Sequence, residues 1–194
     1  NGALNNYGTN DATLNNSGTL NNKGYLYNNA VGTLNNDGSL TNYVTLDNIG
    51  NLYNKSGGTL DNDDTLRNYG TLTNKAGGTL NNKGNLYNKL RGTLNNYGIL
   101  DSTNVGRQDT ILTNDGTLNN YGTIENVADT TLTNNGGLNN DATLNNSGTL
   151  NNKRTLDNDA TLNNYGTLNN DATLDNYDKL AHAGTLHNDA TLNN

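Results

Sequence analysis

The spacing of leucine constrains the fold of this chain more than any other feature. From Leu132 to Leu192 leucine occupies every sixth position, and the same register, widened at a few points, extends back to Leu4. Of the 29 leucines, only Leu90 lies off this register. A period of six does not fit an α-helix, in which apolar residues recur at three and four positions. It fits a short β-strand followed by a turn, repeated along the chain.

The repeating unit reads T-L-x-N-x-G/A. Counting Ile124 with the leucines, asparagine stands two positions after the apolar residue in 27 of 29 units, and Ser102 and His182 are the exceptions. Thr-Leu-x alternates outward, inward and outward as a strand does. Asn-x-Gly/Ala is typical of a tight corner, because Asn and Gly tolerate turn conformations. We expect each such Asn to stack on the Asn of the next coil and satisfy its polar groups there.

These units predict an all-β fold, a parallel β-solenoid with one leucine per face in each turn. The predicted core ladder contains Leu60, Leu66, Leu72, Leu80, Leu132, Leu138, Leu144 and Leu150. The predicted corner ladder contains Asn62, Asn68, Asn74, Asn134, Asn140 and Asn146. A narrow column of leucines also explains why the chain has no Phe, Met or Trp, and why Pro is absent from strands that all need their N–H groups.

The number of faces per coil stays open between three, which we favour, and two. Three faces give 18 residues per coil, or 20 where two residues are inserted, as between Leu60 and Leu80. We predict a single solenoid over residues 1–194. Residues 1–131 carry two-residue corner insertions and one degenerate unit near residues 101–111, whereas residues 132–194 are uninterrupted hexads.

Composition excludes several classes of protein. Asn, Leu, Thr and Gly make up about two-thirds of the chain, and there is no Cys for disulfides or thiolate metal sites. The net charge of −7 and the lack of a basic stripe disfavour a nucleic-acid partner. No apolar run approaches the roughly 20 residues of a membrane-spanning helix.

The acidic residues do not indicate catalysis, because most recur with the repeat whereas an active site is normally singular. The stretch D-N-D-D at residues 61–64 is the best local cation candidate, through Asp61, Asp63 and Asp64, and would suit calcium. We otherwise expect no cofactor, no catalytic residue and no enzymatic activity.

Tyrosine is the most informative aromatic residue. The variable corner position holds Tyr7, Tyr43, Tyr69, Tyr97, Tyr121, Tyr165 and Tyr177. Amphipathic rings at the surface suit lateral contacts or carbohydrate stacking, and equally suit covering neighbouring coils. Rows of outward threonine resemble those of ice-binding solenoids. Those proteins usually present Thr-x-Thr, whereas here the residue after leucine is mainly Asn.

Both ends of the sequence lie inside the repeat, at N-G-A-L and T-L-N-N. A bare terminal coil exposes its core and unpaired backbone groups, so we expect it to pair with a further coil of a longer array or of another copy. Residues 1–97 carry a net charge of +1 and residues 98–194 carry −8. Such a polar rod favours head-to-tail contact, which generates filaments when it does not close.

The runs G-T-L-N-N-Y-G-T-I at residues 116–124 and D-A-T-L-N-N-S-G-T-L at residues 141–150 resemble the repeats of large bacterial exoproteins. These are the filamentous-haemagglutinin-like and autotransporter adhesins, whose passenger regions are β-helices. The resemblance covers nearly the whole chain and implies an extracellular or cell-surface location, a structural or adhesive role and no cofactor.

Residues and resemblance together predict a structural extracellular repeat protein that forms or extends a fibre by head-to-tail stacking into a homopolymer, with adhesion as a further role. The alternative is an ice- or glycan-binding β-solenoid module.

Overall fold

A computed structural model describes residues 3–6, 8–103 and 110–194, with side chains described from residue 8 onward. The described residues form thirty short β-strands and no helix. The chain visits three faces in turn, so every third strand joins the same sheet and all pairs are parallel. The predicted parallel β-solenoid is confirmed, and it has three faces per coil rather than two.

The first sheet contains ten strands: β1 Ala3–Asn6, β4 Thr19–Asn22, β7 Ser39–Asn42, β10 Thr59–Asn62, β13 Thr79–Asn82, β16 Ile99–Ser102, β19 Thr123–Asn126, β22 Thr143–Asn146, β25 Thr161–Asn164 and β28 Lys179–His182.

The second sheet contains β2 Thr9–Asn10, β5 Tyr25–Asn28, β8 Thr45–Asn48, β11 Thr65–Asn68, β14 Asn85–Asn88, β17 Thr110–Asn114, β20 Thr130–Asn134, β23 Thr149–Asn152, β26 Thr167–Asn170 and β29 Thr185–Asn188.

The third sheet contains β3 Thr13–Asn16, β6 Thr33–Asn36, β9 Asn51–Asn54, β12 Thr71–Asn74, β15 Thr93–Asn96, β18 Thr117–Asn120, β21 Gly137–Asn140, β24 Thr155–Asn158, β27 Thr173–Asn176 and β30 Thr191–Asn193. With neighbouring strands about 4.8 Å apart, ten coils make a rod about 45 Å long.

The register places identical positions of the repeat above one another. Leu60, for example, lies between Leu40 and Leu80, and Asn62 lies between Asn42 and Asn82. Twenty-three leucines and Ile124 form one buried core cluster along the axis. All eight leucines of the predicted core ladder are in this cluster and are at most 1% exposed.

The asparagine after each leucine occupies a different place from the one we predicted. It is the last residue of the strand rather than part of the corner, and its side chain points inward, as at Asn68, which is 0% exposed. The strand therefore runs Thr-Leu-x-Asn with alternating half-buried and buried side chains, and the corner shrinks to two residues. Inward asparagine is tolerated because its amide finds partners inside the rod.

Inserted residues lengthen corners between different sheets. Residues 29–32 and 89–92 connect the second sheet to the third, whereas residues 55–58 and 75–78 connect the third to the first. Gly57 and Gly77 take the left-handed conformation in these corners, with φ of 79° and 77°. The degenerate unit near residues 101–111 includes residues 104–109, which lie outside the described part of the chain.

Candidate functional site

The inward asparagines form three columns of amides that follow the rod axis. In the second sheet the column is unbroken from Asn10 to Asn188, with each Nδ2 between 2.6 and 2.9 Å from Oδ1 of the next coil. In the third sheet it runs unbroken from Asn16 to Asn194. These hydrogen bonds satisfy buried amide groups. A buried amide group left without a partner would cost about 1–3 kcal/mol.

Each buried amide nitrogen also donates to the main chain. Asn48 Nδ2, for example, lies 2.9 Å from the carbonyl oxygen of Thr71, the first residue of the following strand one coil further on. A carbonyl oxygen can only accept, so this second bond fixes which amide atom is nitrogen. The side chains thus tie neighbouring sheets together as well as neighbouring coils.

The direction of donation is uniform inside the rod. Every hydrogen bond of the buried columns described above runs from an earlier coil to a later one, as from Asn54 to Asn74. On the outer surface amides donate the opposite way, as from Asn139 to Asn119 at 2.8 Å and from Asn169 to Asn151 at 2.8 Å. The inner columns therefore present donors toward the carboxyl end and acceptors toward the amino end.

The column of the first sheet is interrupted at Ser102, and its amide ladder ends at Asn164, because His182 takes the next position. Nδ2 of Asn82 donates to the carbonyl oxygen of Ile111 at 3.0 Å, and Oγ of Ser102 is buried without a partner among the described residues. Oδ1 of Asn126 accepts instead from Oγ1 of Thr130 at 2.7 Å. The six predicted ladder asparagines all lie in intact parts of the three columns and are fully buried. They are Asn62, Asn68, Asn74, Asn134, Asn140 and Asn146.

The three candidate metal ligands do not converge on one point. Nζ of Lys83 lies 3.4 Å from Asp61 Oδ1 and 3.6 Å from Asp63 Oδ1, so an ammonium group stands between these two carboxylates. Asp64 Oδ1 accepts a hydrogen bond from Thr65 Oγ1 at 3.1 Å. In the described part of the chain, no group of three or more His, Asp or Glu side chains is placed to hold a metal ion.

The predicted surface tyrosines are exposed, but the structure separates them onto the three edges of the prism. Tyr43 and Tyr165 lie between the first and second sheets, and Tyr69 lies between the second and third. Tyr97, Tyr121 and Tyr177 lie between the third and first sheets, whereas Tyr7 is outside the described residues. Tyr97 and Tyr121 stack, with ring centroids 4.8 Å apart and planes 16° apart.

Tyrosines on the outer strand faces meet charged side chains, a feature that sequence reasoning missed. Nζ of Lys75 lies 5.6 Å from the ring centroid of Tyr53, and Nζ of Lys89 lies 4.4 Å from that of Tyr87. Lys89 lies two positions after Tyr87 in the sequence, whereas Lys75 lies one coil after Tyr53. The second pair can be recognised in the sequence only when the coil length is known. A shallow groove of about 630 Å³ lies beside Tyr53, between the inserted corners of Lys55 and Lys75.

On the outer faces, burial and neighbouring carboxyl groups raise the pKa of some side chains. Burial and the hydrogen bond from its hydroxyl to Asp47 Oδ2 at 2.8 Å raise the pKa of Tyr25 to about 12. Burial and the neighbouring carboxylates of Asp175 and Asp159 raise the pKa of Asp157. The like charges near the carboxyl end therefore interact unfavourably.

The ion pairs among the described residues are confined to the first six coils of the rod. All five ion pairs among the described residues involve acids from Asp37 to Asp115. The described residues also contain no helix long and apolar enough to cross a membrane.

Comparison with known proteins matches this architecture to one family. The sequence matches the haemagglutinin repeat in four overlapping segments, residues 1–43, 42–120, 101–157 and 153–194. No curated protein and no solved structure matches the chain. Haemagglutinin repeats form a structural, adhesin-type family of typically secreted or surface-exposed proteins. The repeat register, the parallel solenoid and the matched segments agree, and the chain belongs to the haemagglutinin repeat family.

Proposed function

We propose that the chain is a non-enzymatic structural rod of an extracellular or cell-surface adhesin-type protein, and that its coils extend head to tail into a fibre. The observation that carries this proposal is the single direction of the buried amide columns. In the second and third sheets the columns end at Asn188 and Asn194, so the carboxyl end offers Nδ2 donors and the amino end offers Oδ1 acceptors. Only head-to-tail contact matches these donors to these acceptors.

The last coil supports the same contact. Among the described residues, β28, β29 and β30 each pair with one strand only, which leaves a row of main-chain groups ready for a further coil. Leu180, Leu186 and Leu192 are only partly buried against the core. A coil placed on this end would complete both the hydrogen bonding and the leucine column, whether it came from the same chain or from another copy.

Electron microscopy of residues 1–194 over a range of concentrations tests the head-to-tail contact. We expect rods of constant width whose lengths are multiples of about 45 Å. A double variant, Leu186→Lys and Leu192→Lys, places two charges on the terminal coil and should leave single rods. The matched control is Leu90→Lys, because Leu90 is 71% exposed on the side of the rod. Single short particles of the unaltered chain at every concentration would contradict the proposal.

Glycan binding is the second candidate function, and the groove beside Tyr53 favours it. A half-buried aromatic ring with an ammonium group above it offers a stacking surface and hydrogen-bond donors for a sugar. A glycan array with the unaltered chain and with Tyr53→Ala tests this role, and Tyr87→Ala is the control at a similar ring outside the groove. Thermal hysteresis, measured on the same material, tests the ice-binding alternative.

A further inference from the structure

One edge of the prism carries its charges in a segregated order. The first corner residue after the third-sheet strands is, in successive coils, Ser17, Asp37, Lys55, Lys75, Tyr97, Tyr121, Asp141, Asp159 and Tyr177. We call the six residues of this row from Lys55 to Asp159 the charged edge. The main-chain N–H of each of these residues donates to the carbonyl of the buried asparagine one coil earlier, so the row is in register along the axis.

When the charged edge is read in reverse order, every lysine position is replaced by an aspartate and every aspartate position by a lysine. Its centre is the stacked tyrosine pair. One coil from this pair, Lys75 on one side matches Asp141 on the other, and two coils away Lys55 matches Asp159. A two-fold rotation about the centre therefore brings each lysine of one copy opposite an aspartate of the other.

The adjoining outer face follows the same division. Tyr53, with the Lys75 ammonium over its ring, lies in the basic half. Asp157 and Asp175 are register neighbours in the acidic half, where no ion pair involves them among the described residues. The acidic half of the charge separation thus extends from the edge onto the third sheet.

The other two edges do not separate their charges. Between the second and third sheets, Lys89 pairs with Asp115 of the next coil at 3.8 Å. Between the first and second sheets, Lys83 pairs with Asp63 of the previous coil at 3.6 Å. Opposite charges in adjacent coils cancel within one copy, so these edges offer a second copy little net attraction. On the charged edge Lys55 is also paired, with Asp37 of the preceding coil at 3.1 Å, whereas Lys75, Asp141 and Asp159 have no ion pair among the described residues. The attraction between two copies therefore rests mainly on Lys75 and Asp141.

We infer that the charged edge is a lateral self-association surface, on which a second copy of this chain lies antiparallel about a two-fold axis between Tyr97 and Tyr121. Such an interface is isologous, because each copy contributes the same patch. The exposed tyrosines supply its apolar centre and the charges set its direction. An edge of this size buries on the order of 500 Å² per copy, so the dimer is weak and concentration-dependent.

This contact is independent of head-to-tail stacking and has a different shape. A lateral dimer keeps the length of one rod and doubles its cross-section, whereas an end-to-end dimer doubles the length. Small-angle X-ray scattering of the Leu186→Lys, Leu192→Lys chain, whose end contact is blocked, isolates the lateral mode. Sedimentation velocity over a concentration series up to about 1 mM then measures the dissociation constant.

Charge exchange tests the pairing. The acidic variant Lys55→Asp, Lys75→Asp and the basic variant Asp141→Lys, Asp159→Lys should each dimerise at least tenfold more weakly alone. Mixed together, they should form a heterodimer. A chain carrying all four substitutions restores complementarity only in the antiparallel arrangement, so it should dimerise like the unaltered chain.

The control for net charge is Lys23→Asp, Lys153→Asp, which alters exposed lysines on the other two edges. This variant should retain the lateral dimer. Glycan binding in the groove beside Tyr53 would change in the acidic variant but not in the basic one. Lateral self-association should weaken in both, so the experiment distinguishes the two functions.

Cross-linking tests the direction, and the chain offers a clean background because it contains no cysteine. A mixture of Tyr97→Cys and Tyr121→Cys chains should form disulfide-linked dimers faster than either variant alone. Faster linking of identical variants would show a parallel contact and overturn the proposal. An unaltered chain that stays monomeric with its ends blocked, or four charge variants that behave like the control, would overturn it as well.

Discussion

Nδ2 of Asn48 lies 2.7 Å from Oδ1 of Asn68, the next member of the buried column, and neither side chain is exposed. Asn68 in turn donates to Oδ1 of Asn88 at 2.8 Å and to the carbonyl of Thr93 at 2.9 Å. Each amide is therefore acceptor to one coil and donor to the next.

Removing one member should be costly. Asn68→Ala removes the amide acceptor of Asn48 and the amide that donates to Asn88 Oδ1 and to the carbonyls of Gly70 and Thr93. We expect a loss of about 2–3 kcal/mol of unfolding free energy. Asn139→Ala is the matched control, because Asn139 makes an amide-to-amide bond of 2.8 Å on the outer face and should lose less than about 1 kcal/mol. Urea denaturation followed by circular dichroism measures both, and equal losses would contradict a special role for the buried columns.

Completing the interrupted column should stabilise the rod. Ser102→Asn places an amide between Asn82 and Asn126, where it can accept from one and donate to the other. We expect a gain of about 1 kcal/mol in unfolding free energy. Ser147→Asn, at an exposed corner, is the control and should change little. A lower urea midpoint for Ser102→Asn would mean that the smaller serine is required by the adjoining segment.

Arg91 carries backbone strain that glycine would relieve. Its φ is 74°, and it occupies the same step of an inserted corner as Gly57, whose φ is 79°. Arg91 is exposed, and Arg91→Gly should raise the unfolding free energy by about 0.5–1 kcal/mol, because a left-handed conformation is unfavourable for residues with a Cβ. The reciprocal variant Gly57→Ala should lower the unfolding free energy by a similar amount, and thermal unfolding of both variants measures the two changes. Changes of the same sign in both variants would contradict this explanation.

Asp157 should make stability depend on pH. Its pKa is raised above the ordinary 3.8, so the folded chain holds the proton more tightly than the unfolded chain does. Its contribution is thus most favourable at low pH and is lost as pH rises through the folded pKa. Asp157→Asn should raise stability at pH 7 by at most about 1 kcal/mol, and this advantage should vanish below pH 3.8.

Thermal unfolding at both pH values checks this expectation. The control is Asp171→Asn, at an exposed corner between the second and third sheets. An advantage of Asp157→Asn that persisted at low pH would show that its origin is not the carboxylate charge.

The sequence was sufficient to predict the leucine core, because a large apolar residue such as Leu66 recurs once per unit and must be buried together with its equivalents. It also predicted amide stacking at Asn68. It did not predict the inward direction of that amide, because Asn favours turns in isolation and only the second bond to the main chain makes its burial favourable.

The number of faces could not be settled from the sequence for a geometric reason. Every face uses the same hexad, and the insertions at residues 29–32 and 55–58 lengthen different corners. The charged edge was hidden for the same reason. Lys75 and Asp141 are 66 positions apart, and they share an edge only when the coil length between them is known.

The main-chain and side-chain hydrogen bonds between coils lie along the rod axis, and this alignment has a mechanical consequence. Tension applied to the rod as a whole stretches the bonds between two coils simultaneously, in three sheets and in the side-chain columns that are unbroken at that level, so the load is shared. Tension applied to one strand at the end of the chain instead detaches a single coil, one short strand at a time. The same molecule therefore resists extension yet can unravel from a free end, and its tensile strength depends on how force enters it.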